Sequence, residues 1–473
     1  MTVTPLWAAQ AWVDGRWRRD VLLEPGTNGC WARVSPDTRP PEAATRLAGP
    51  ALPGLVNAHG HAFQRAFAGL TERRAGAHDD FWSWRDGMYR VANAVTPATL
   101  RAIAAHLYVE LLAGGYTHVC EFHYLRHDLD GQPYADPMAL AQALAEAAVD
   151  AGIGITLLPV IYERAGFAAE ALRNDQRRFR ATADDVWSAC QAFRRRAPTL
   201  DPRGRLVVDA GMGVHSLRAA RPASIAHLLR LAKDDSGPLH VHVAEQRAEV
   251  ADCLAATGHT PIAWLAAHDV LDARWHLVHA THTTPAEIAA VGRAGASVVL
   301  CPSTEANLGD GLPDLPAWLE AGVGLSVGSD SHATRCWREE VRWMEYGQRL
   351  RLERRNVAAD GAAPDGGNRG TAGDLFERLC AGGGRAAGHA AWGLRPGARA
   401  DLLVADPDDA ALAGVPEDRV LDALVFSSPS RPWRDVMVAG RWAVQDGRHG
   451  RSAELQRAYA HAVTSCRADD PAA

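Results

Sequence analysis

The sequence has no long apolar run. None of its stretches approaches the ~20 apolar residues that a membrane-spanning helix needs. Its first residues, MTVTPLWAAQAW, also lack the basic and apolar regions of a signal peptide. We therefore expect a cytoplasmic protein with no membrane partner.

Paired cysteines and a basic stripe are missing as well. The eight cysteines are scattered, with no Cys-x-x-Cys pair, which argues against a disulfide framework and against a thiolate zinc site. Charges of both signs are mixed along the chain and the net charge is -6, so nothing in the sequence favours nucleic acid as a partner. A small molecule is the expected ligand.

The pattern of apolar and polar residues along the chain changes twice. Residues 1–53 carry short aromatic and β-branched runs between turns, whereas residues from about 55 to 345 alternate apolar runs with Ala-, Leu- and Arg-rich helical segments. Strand-like runs return near the end. We expect residues 1–53 and 390–447 to form a small β domain, 54–389 to form a barrel domain, and 448–473 to form a C-terminal helix and tail.

Eight of the apolar runs read as buried parallel strands, and in each of them the polar residues follow the apolar ones. They are LVNAHGH, THVCEFHY, GITLLPVIY, RLVVDAGMGVHS, PLHVHVAEQ, WHLVHATH, SVVLCPSTEANL and VGLSVGSDSHA. Polar chemistry at strand ends is typical of a (β/α)8 barrel, whose active site lies at the carboxyl ends of the strands. The predicted fold class is therefore α/β, a TIM-type barrel with a small β-sandwich made from the two chain ends.

The first strand ends in two histidines. In LPGLVNAHGHAFQRAFA, residues His59 and His61 are two positions apart, so both imidazoles lie on one face of a strand. Neutral imidazole is the commonest protein ligand for zinc and similar metals. Short histidine pairs also occur on ordinary loops, so this pair alone leaves the metal site open.

The fifth strand repeats the pattern in HVHVAEQ. We favour His242, nearer the carboxyl end, as a metal ligand, and interpret His240 as a buried histidine beyond the ligands. Glu245 follows at the expected mouth, where a carboxyl group beside a metal can shuttle protons. It could equally be an ordinary solvated loop glutamate.

Strands six and eight complete a constellation. His279 stands where the sixth apolar run ends, and Asp330 ends the eighth run among small residues. An aspartate in Gly-Ser-Asp-Ser is by default a turn residue. Histidines and an aspartate at the ends of strands one, five, six and eight nevertheless form a set that unrelated residues would rarely produce.

With these motifs in place, the chain resembles the amidohydrolase superfamily, in particular its deaminase-like branch with one metal ion. The flanking β segments and the stretches PGLVNAHGH, HVHVAEQ, LVHATH and GSDSH occur in the expected order over nearly the whole chain. Within the branch, HGHAFQRAFAG, CPSTEANLGDG and GSDSHATRCWREEVRWMEYGQRLR are most similar to the deiminases of histidine degradation. Those enzymes hydrolyse N-formimidoyl-L-glutamate to N-formyl-L-glutamate and ammonia.

The resemblance implies a role for each site residue. His59, His61, His242 and Asp330 would bind one divalent metal ion, which we expect to be Zn²⁺. Glu245, His279 and Asp330 would act in catalysis and proton transfer. Strand four ends in AGMGVHSLRAAR without a lysine, whereas the dinuclear branch uses a carboxylated lysine there, and this favours a single ion. The residues implied to contact a dicarboxylate substrate are Gln64, Arg85, Tyr124, His215 and Arg218. We also expect a homodimer.

Several alternatives stay open. The chain could be another aminohydrolase of the same branch, acting on a purine-like or guanidino substrate, although Arg218 and Arg85 favour a dicarboxylate. It could also be a metal-free barrel kept as a binding or scaffold protein. Zinc, iron and manganese all accept a site of three histidines and one aspartate. Whether His279 would touch the metal or only its water is also open.

Overall fold

The computed structural model describes residues 4–72, 81–202, 204, 208–360, 369–427, 429 and 431–467. Their strands fall into two separate sheets of nine strands each. One sheet is made from the two ends of the chain and the other forms a barrel between them. Residues 468–473 of the predicted C-terminal tail lie outside the described part.

The N-terminal segment supplies five strands: β1 Leu6–Val13, β2 Arg16–Pro25, β3 Trp31–Ser35, β4 Thr45–Arg46 and β5 Ala51–Leu52. Strands β1 and β2 form an antiparallel hairpin. Asp14 and Gly15 connect them, both with positive φ (49° and 75°). A two-residue turn of this kind matches the twist of the flanking strands, and Asp-Gly is among its preferred sequences.

The barrel is built from parallel strands at eight positions, as predicted. They are β6 Leu55–Gly60, β7 Tyr116–His123, β8 Gly154–Ile161, β9 Val208–Ala210 with β10 Met212–Val214, β11 Leu239–Val243, β12 Trp275–His279, β13 Ser297–Leu300 and β14 Gly324–Val327. The barrel closes between its first and last strands. There, the Asp330 amide donates to the His59 carbonyl at 3.0 Å, and the His61 amide donates to the Asp330 carbonyl at 3.4 Å.

The fourth barrel position differs from the single strand expected. It is divided at Gly211, although both pieces pair with β8. The cause is Arg194, whose Nε and Nη2 donate to the Ala210 carbonyl at 3.0 and 2.6 Å. A Cβ on Gly211 would lie 2.5 Å from the Pro238 carbonyl oxygen, so only glycine fits at the break. The start of the predicted strand, residues 205–207, lies outside the described residues.

Helices lie between the barrel strands and after them. They are α1 Phe81–Ala92, α2 Pro97–Ala113, α3 Ala139–Ala151, α4 Ala183–Leu200, α5 Pro222–Leu231, α6 Arg247–Thr257, α7 Pro261–Ala267, α8 Pro285–Ala294, α9 Pro302–Leu308, α10 Leu315–Glu320, α11 Trp337–Leu352, α12 Gly370–Ala386, α13 Val420–Phe426 and α14 Ser452–Arg467. Short 3-10 helices span Ala62–Ala66, Asn174–Phe179, Ala410–Leu412 and Glu417–Arg419.

Local sequence accounts for many helix starts. Capping boxes begin α2, α4 and α8, and proline stands in the first turn of α2, α5 and α8. Among the described helices, none combines the length and the apolar character that a membrane span requires.

The last strands are β15 Leu402–Val404, β16 Asp435–Val438, β17 Arg441–Gln445 and β18 Arg448–His449. The terminal sheet runs β18-β17-β16-β15-β5-β1-β2-β3, with β4 beside β1, so the predicted pairing of the two chain ends is confirmed. Its strands form one hydrogen-bonded sheet with an apolar core of its own, including Leu23, Trp31 and Leu402. The residue boundaries proposed for the domains stay predictions.

Candidate active site

Four buried side chains converge where the barrel closes. The ligand atoms of His59, His61, His242 and Asp330 all lie within 4.8 Å of one another. The His59 Nε2 atom is 3.2 Å from His61 Nε2 and 2.9 Å from His242 Nε2. Asp330 Oδ1 is 3.4 Å from His59 Nε2 and 3.3 Å from His61 Nε2. Ligand atoms 2.0–2.1 Å from a tetrahedral zinc lie ~3.3 Å apart, so the spacing of these atoms fits such an ion.

The opposite ring nitrogens of two histidines fix which atoms face the cluster. His61 Nδ1 is 2.9 Å from the Phe122 carbonyl, and His242 Nδ1 is 3.0 Å from the His215 carbonyl. A carbonyl only accepts, so each Nδ1 carries the proton and each Nε2 presents a bare lone pair to the cluster. Facing lone pairs repel unless a cation lies between them. In known metal sites, backbone carbonyls behind the imidazole ligands fix the tautomer and the orientation of the ring in the same way.

The backbone around the cluster is tightly constrained. His279 and Asp330 have φ values of 68° and 43°, in the left-handed region that residues other than glycine rarely adopt. Gly328, just before Asp330, allows the last strand to approach the first, because a Cβ there would lie 2.7 Å from the His59 carbonyl oxygen. The barrel seam therefore holds His59 and Asp330 at a fixed spacing.

Charge in the cluster follows from burial and from these contacts. Burial lowers the pKa of His59 to about 3, so this histidine is neutral at physiological pH. Burial alone would raise the pKa of Asp330, but contacts with His59 and His61 hold it well below its usual range. Imidazole nitrogens and a carboxylate are donors that zinc and related divalent ions accept.

Beside the cluster stands a group of acids around one imidazole. His279 Nε2 is 3.6 Å from Glu245 Oε1 and 3.8 Å from Asp330 Oδ2. On the other side of the ring, Nδ1 is 3.5 Å from Glu305 Oε1. Burial by itself would lower the pKa of His279, but these carboxylates raise it to about 10. Burial raises the pKa of Glu245. Groups whose pKa values are pushed apart in this way suit acid–base chemistry.

A cavity opens onto the cluster, and most of the predicted site residues line it. Of the eleven, all but His59 line it: His61, Gln64, Arg85, Tyr124, His215, Arg218, His242, Glu245, His279 and Asp330. His59 lies beneath His61 and His242, in contact with both. Placement alone does not test the roles predicted for these residues.

Two guanidinium groups give part of the cavity wall a positive charge. The Arg218 side chain is 11% exposed, and its Nη1 is 3.9 Å from Glu249 Oε2. Burial opposes its charge, but Glu249 and Glu245 raise its pKa. Burial lowers the pKa of Arg85, and the nearby Arg218 contributes to this effect. Two cations this close in a partly closed space favour an anionic ligand.

Part of the cavity wall was not foreseen from the sequence. Phe81, Trp84, Tyr89, Tyr162 and Phe179 make it largely aromatic. The Gln176 side-chain amide donates to the hydroxyls of Tyr89 (2.9 Å) and Tyr162 (3.1 Å) and so orders both rings. These residues come from α1, from the end of β8 and from the 3-10 helix 174–179, where no motif marks them.

Two acids were also missed. Glu305 and Asp310 lie in CPSTEANLGDG after β13, and both are buried near His279. The sequence signal that could have identified them is an acidic residue after the end of an apolar strand.

His240 was interpreted from the sequence as a buried histidine beyond the ligands. Its Nε2 is 2.9 Å from the Ala386 carbonyl and its ring neighbours His276.

The cavity and its donor cluster place this chain in the class of metal-dependent barrel hydrolases. It belongs to the amidohydrolase family, whose model matches residues 51–443. The chain is 45% identical over 457 residues to formimidoylglutamate deiminase of Pseudomonas aeruginosa, covering 97% of this chain and 98% of that protein. The resemblance inferred from the motifs is thus confirmed.

Two further proteins are similar to this chain. The crystal structure of an amidohydrolase from Brucella melitensis superposes with a TM-score of 0.91 at 37% identity, covering 98% of this chain and 100% of that one. A 5-methylthioadenosine/S-adenosylhomocysteine deaminase of Natronomonas pharaonis is 28% identical over 395 residues, covering 84% of this chain and 81% of that protein. The barrel is therefore that of a C–N hydrolase, and the alternative of a non-catalytic scaffold is not supported.

Proposed function

We propose that this protein hydrolyses the formimidoyl group of N-formimidoyl-L-glutamate, giving N-formyl-L-glutamate and ammonia. Identity to formimidoylglutamate deiminase over nearly the full length of both chains supports this reaction. The observation that carries the proposal is that one cavity joins the histidine–aspartate cluster to Arg85 and Arg218. A dicarboxylate carrying a hydrolysable C–N group matches both parts of this cavity, whereas a neutral nucleobase needs no such cations.

His59, His61, His242 and Asp330 would hold one zinc ion in this proposal. Their atoms have the spacing of a tetrahedral site, and the two Nε2 lone pairs fixed by backbone carbonyls support it. When bound, such an ion lowers the pKa of water to ~7 and so makes hydroxide available at neutral pH.

The acids transfer protons and the imidazole stabilises charge. We assign to Asp330 the acceptance of the proton from the attacking water. His279 faces Asp330 at the cluster, and its raised pKa keeps the ring protonated at neutral pH, so it would stabilise the negative charge that develops during the attack. Glu245 would deliver a proton to the nitrogen that leaves as ammonia. Burial raises the pKa of the Glu245 carboxyl group, which favours the protonated form that a general acid needs.

The remaining predicted residues would orient the substrate. Arg218 and Arg85 would each bind a carboxylate, and the planar guanidinium suits two-point contact. Gln64 donates from Nε2 to the Tyr124 hydroxyl at 3.3 Å, and its buried Oε1 has no hydrogen-bond partner among the described residues. That oxygen is an acceptor for a substrate N–H. His215, whose pKa burial and Arg218 keep low, would contact the substrate as a neutral ring.

The proposal has four further features. The single zinc ion, a homodimer, a cytoplasmic location and a place in histidine degradation stay predictions.

Ammonia release from a panel of substrates tests the proposal. We expect the metal-loaded protein to release ammonia from N-formimidoyl-L-glutamate with kcat/KM at least ~10⁴ M⁻¹s⁻¹, the lower range for ordinary enzymes. Adenosine, 5-methylthioadenosine, guanine and guanidino acids serve as comparisons. Faster turnover of a purine or guanidino compound would replace the proposal with the alternative activity.

A further inference from the structure

A second group of metal-ligating side chains lies beside the first. One ligand atom from each of Glu245, His279 and Asp310 falls within 4.8 Å of the others, and all three residues are buried. This trio shares no residue with the cluster of His59, His61, His242 and Asp330. It borders the same cavity through Glu245 and His279.

Asp310 has an unused oxygen in this trio. Its Oδ1 accepts a hydrogen bond from the Gln246 side chain, and its backbone amide donates to the Glu305 carbonyl at 2.9 Å. Its Oδ2 has no hydrogen-bond partner among the described residues, although the residue is only 5% exposed. A buried carboxylate oxygen without a partner is costly, so a ligand at this position would remove a real penalty.

The neighbouring carboxyl groups of Asp310 and Glu245 each make the negative charge of the other less favourable. Burial, followed by the neighbouring Glu245, raises the pKa of Asp310 to about 9. Like charges in a shared buried space are relieved either by a proton or by a cation. A divalent ion would have to displace that proton, so its binding strengthens as the pH rises.

His279 supplies the third donor in a suitable arrangement. Its Nε2 is 3.6 Å from Glu245 Oε1, on the cavity side of the ring. Its Nδ1 is 3.5 Å from Glu305 Oε1, so a carboxylate stands behind the imidazole. Histidines that bind metals commonly have a carboxylate or carbonyl behind the other ring nitrogen, which orients the ring.

From these contacts we infer a second divalent-cation site formed by Glu245, His279 and Asp310, with zinc as the matching ion. Two carboxylates and one imidazole are a donor set that zinc accepts. An ion there would occupy the groups to which proton transfer and charge stabilisation are assigned, so excess metal inhibits the enzyme. The inhibition rests on the proposed function, whereas the binding of a second ion does not.

The test counts bound zinc. Apoprotein is dialysed against increasing Zn²⁺ at pH 8, and the bound metal is measured by mass spectrometry. Wild type should saturate at two equivalents and Asp310→Asn at one, since asparagine keeps the acceptor for Gln246 but loses the anionic oxygen. Asp314→Asn is the matched control, because Asp314 is a half-exposed acid on the same segment, paired with Arg351. It should keep two equivalents.

Activity gives a second, separate readout. Wild type with one equivalent of zinc should lose at least ~10-fold in rate when zinc is added in tenfold excess. Asp310→Asn should match wild type at one equivalent and lose less than ~2-fold in excess zinc. Absence of any deiminase activity would refute the proposed function, while the zinc count would still decide the second site.

Three outcomes would overturn the inference. One is saturation of wild type at a single equivalent, and another is retention of two equivalents by Asp310→Asn. The third is loss of the second equivalent in Cys301→Ser instead, because buried Cys301 forms a different ligand group with His279 and Asp330. If Asp310→Asn fails to fold, a zinc-soaked wild-type crystal decides: two anomalous peaks are expected, one of them beside Asp310, and a single peak contradicts the second site.

Discussion

At the scale of single residues, chemistry in this protein depends on keeping a carboxyl group away from water. Glu245 is 6% exposed, its pKa is raised by burial, and His279 is 3.6 Å from it. A glutamate that followed a strand in an open loop would be ionised at neutral pH and could not donate a proton. The local environment, more than the residue type, makes Glu245 a suitable acid.

Replacing Glu245 with glutamine tests this assignment. The amide keeps the size and one acceptor but cannot donate an acid proton, so turnover of N-formimidoyl-L-glutamate should fall by ~10²-fold or more. KM should change by less than ~3-fold, because substrate contacts remain. The tightly bound equivalent of metal should also remain. Loss of that equivalent together with activity would instead make Glu245 a ligand of the first metal.

The sequence could predict some site residues and not others, for physical reasons. His59, His242 and His279 lie in the last residues of apolar strands, and Asp330 lies just beyond one. Parallel strands bring their carboxyl ends to one face. Asp310 follows a helix and a glycine, so its distance from Glu245 depends on how α9 packs. Such a distance is a tertiary property that no local period encodes.

At the scale of secondary-structure elements, the seam between β6 and β14 holds the cluster. Asn57 supports it: its Oδ1 accepts from the Ser329 amide at 2.8 Å and its Nδ2 donates to Ser329 Oγ at 2.7 Å. Ser329 Oγ in turn is 2.9 Å from His332 Nδ1. This network fixes the turn that carries Asp330 against the strand that carries His59.

Gly328→Ala should disturb this seam. The new Cβ would meet the His59 backbone at 2.7 Å, so the strands must separate, and overpacking of this kind costs about 1–3 kcal/mol in the free energy of unfolding. Metal affinity should fall with it, because His59 and Asp330 move apart. Urea unfolding and metal content measure the two effects.

Gly166→Ala is the control for that substitution. Nothing lies within 4 Å of a Cβ built on Gly166, so stability should change by less than ~0.5 kcal/mol, as surface substitutions usually do. A Gly328→Ala protein as stable and as metal-rich as this control would show that the seam is not tight.

Elements were predicted well where the pattern is local. Apolar runs and capping residues give the barrel strands and the starts of α2, α4 and α8. The break in the fourth strand was not visible, because it depends on Arg194 reaching the Ala210 carbonyl from α4. Barrel closure between β6 and β14 likewise follows from topology and not from any one segment.

At the scale of the whole molecule, buried histidines of the barrel strands contact the segments that follow the barrel in the chain. His118 Nδ1 is 2.8 Å from Arg399 Nη1, and Arg399 pairs with Asp401 at 2.6 Å in the chain leading to the terminal sheet. At the same end of the barrel, burial lowers the pKa of His240 to about 4, against the contact with the Ala386 carbonyl.

Acid should therefore destabilise the fold partly through His240. The pKa of His240 is lower in the folded than in the unfolded state. Its contribution to the free energy of unfolding is therefore complete above pH ~6.5 and is lost as the pH falls towards 4. Between pH 7 and pH 5 this single group should account for ~2 kcal/mol of lost stability. His240→Gln can still donate to Ala386 but does not titrate, so its loss over this range should be smaller by that amount.

The control for this prediction is the exposed His461→Gln, which should show the same pH dependence as wild type. Urea unfolding at pH 5 and pH 7 provides the comparison. An unchanged pH dependence in His240→Gln would mean that His240 does not titrate on unfolding.

The central claim is that one cavity joins a metal cluster to a carboxylate-binding arginine, and Arg218 tests it most directly. The measurement is kcat/KM of wild type and Arg218→Ala on N-formimidoyl-L-glutamate and on the two analogues that each lack one carboxylate. Losing one side of a buried charge pair costs ~2–5 kcal/mol, so the full substrate should lose at least ~30-fold. Arg218→Lys should recover only part, since lysine lacks the planar fork. One analogue should lose less than ~3-fold in Arg218→Ala, because it lacks the carboxylate that Arg218 binds. Equal losses on all three compounds would contradict the account, since Arg218 would then support the cavity without binding a carboxylate.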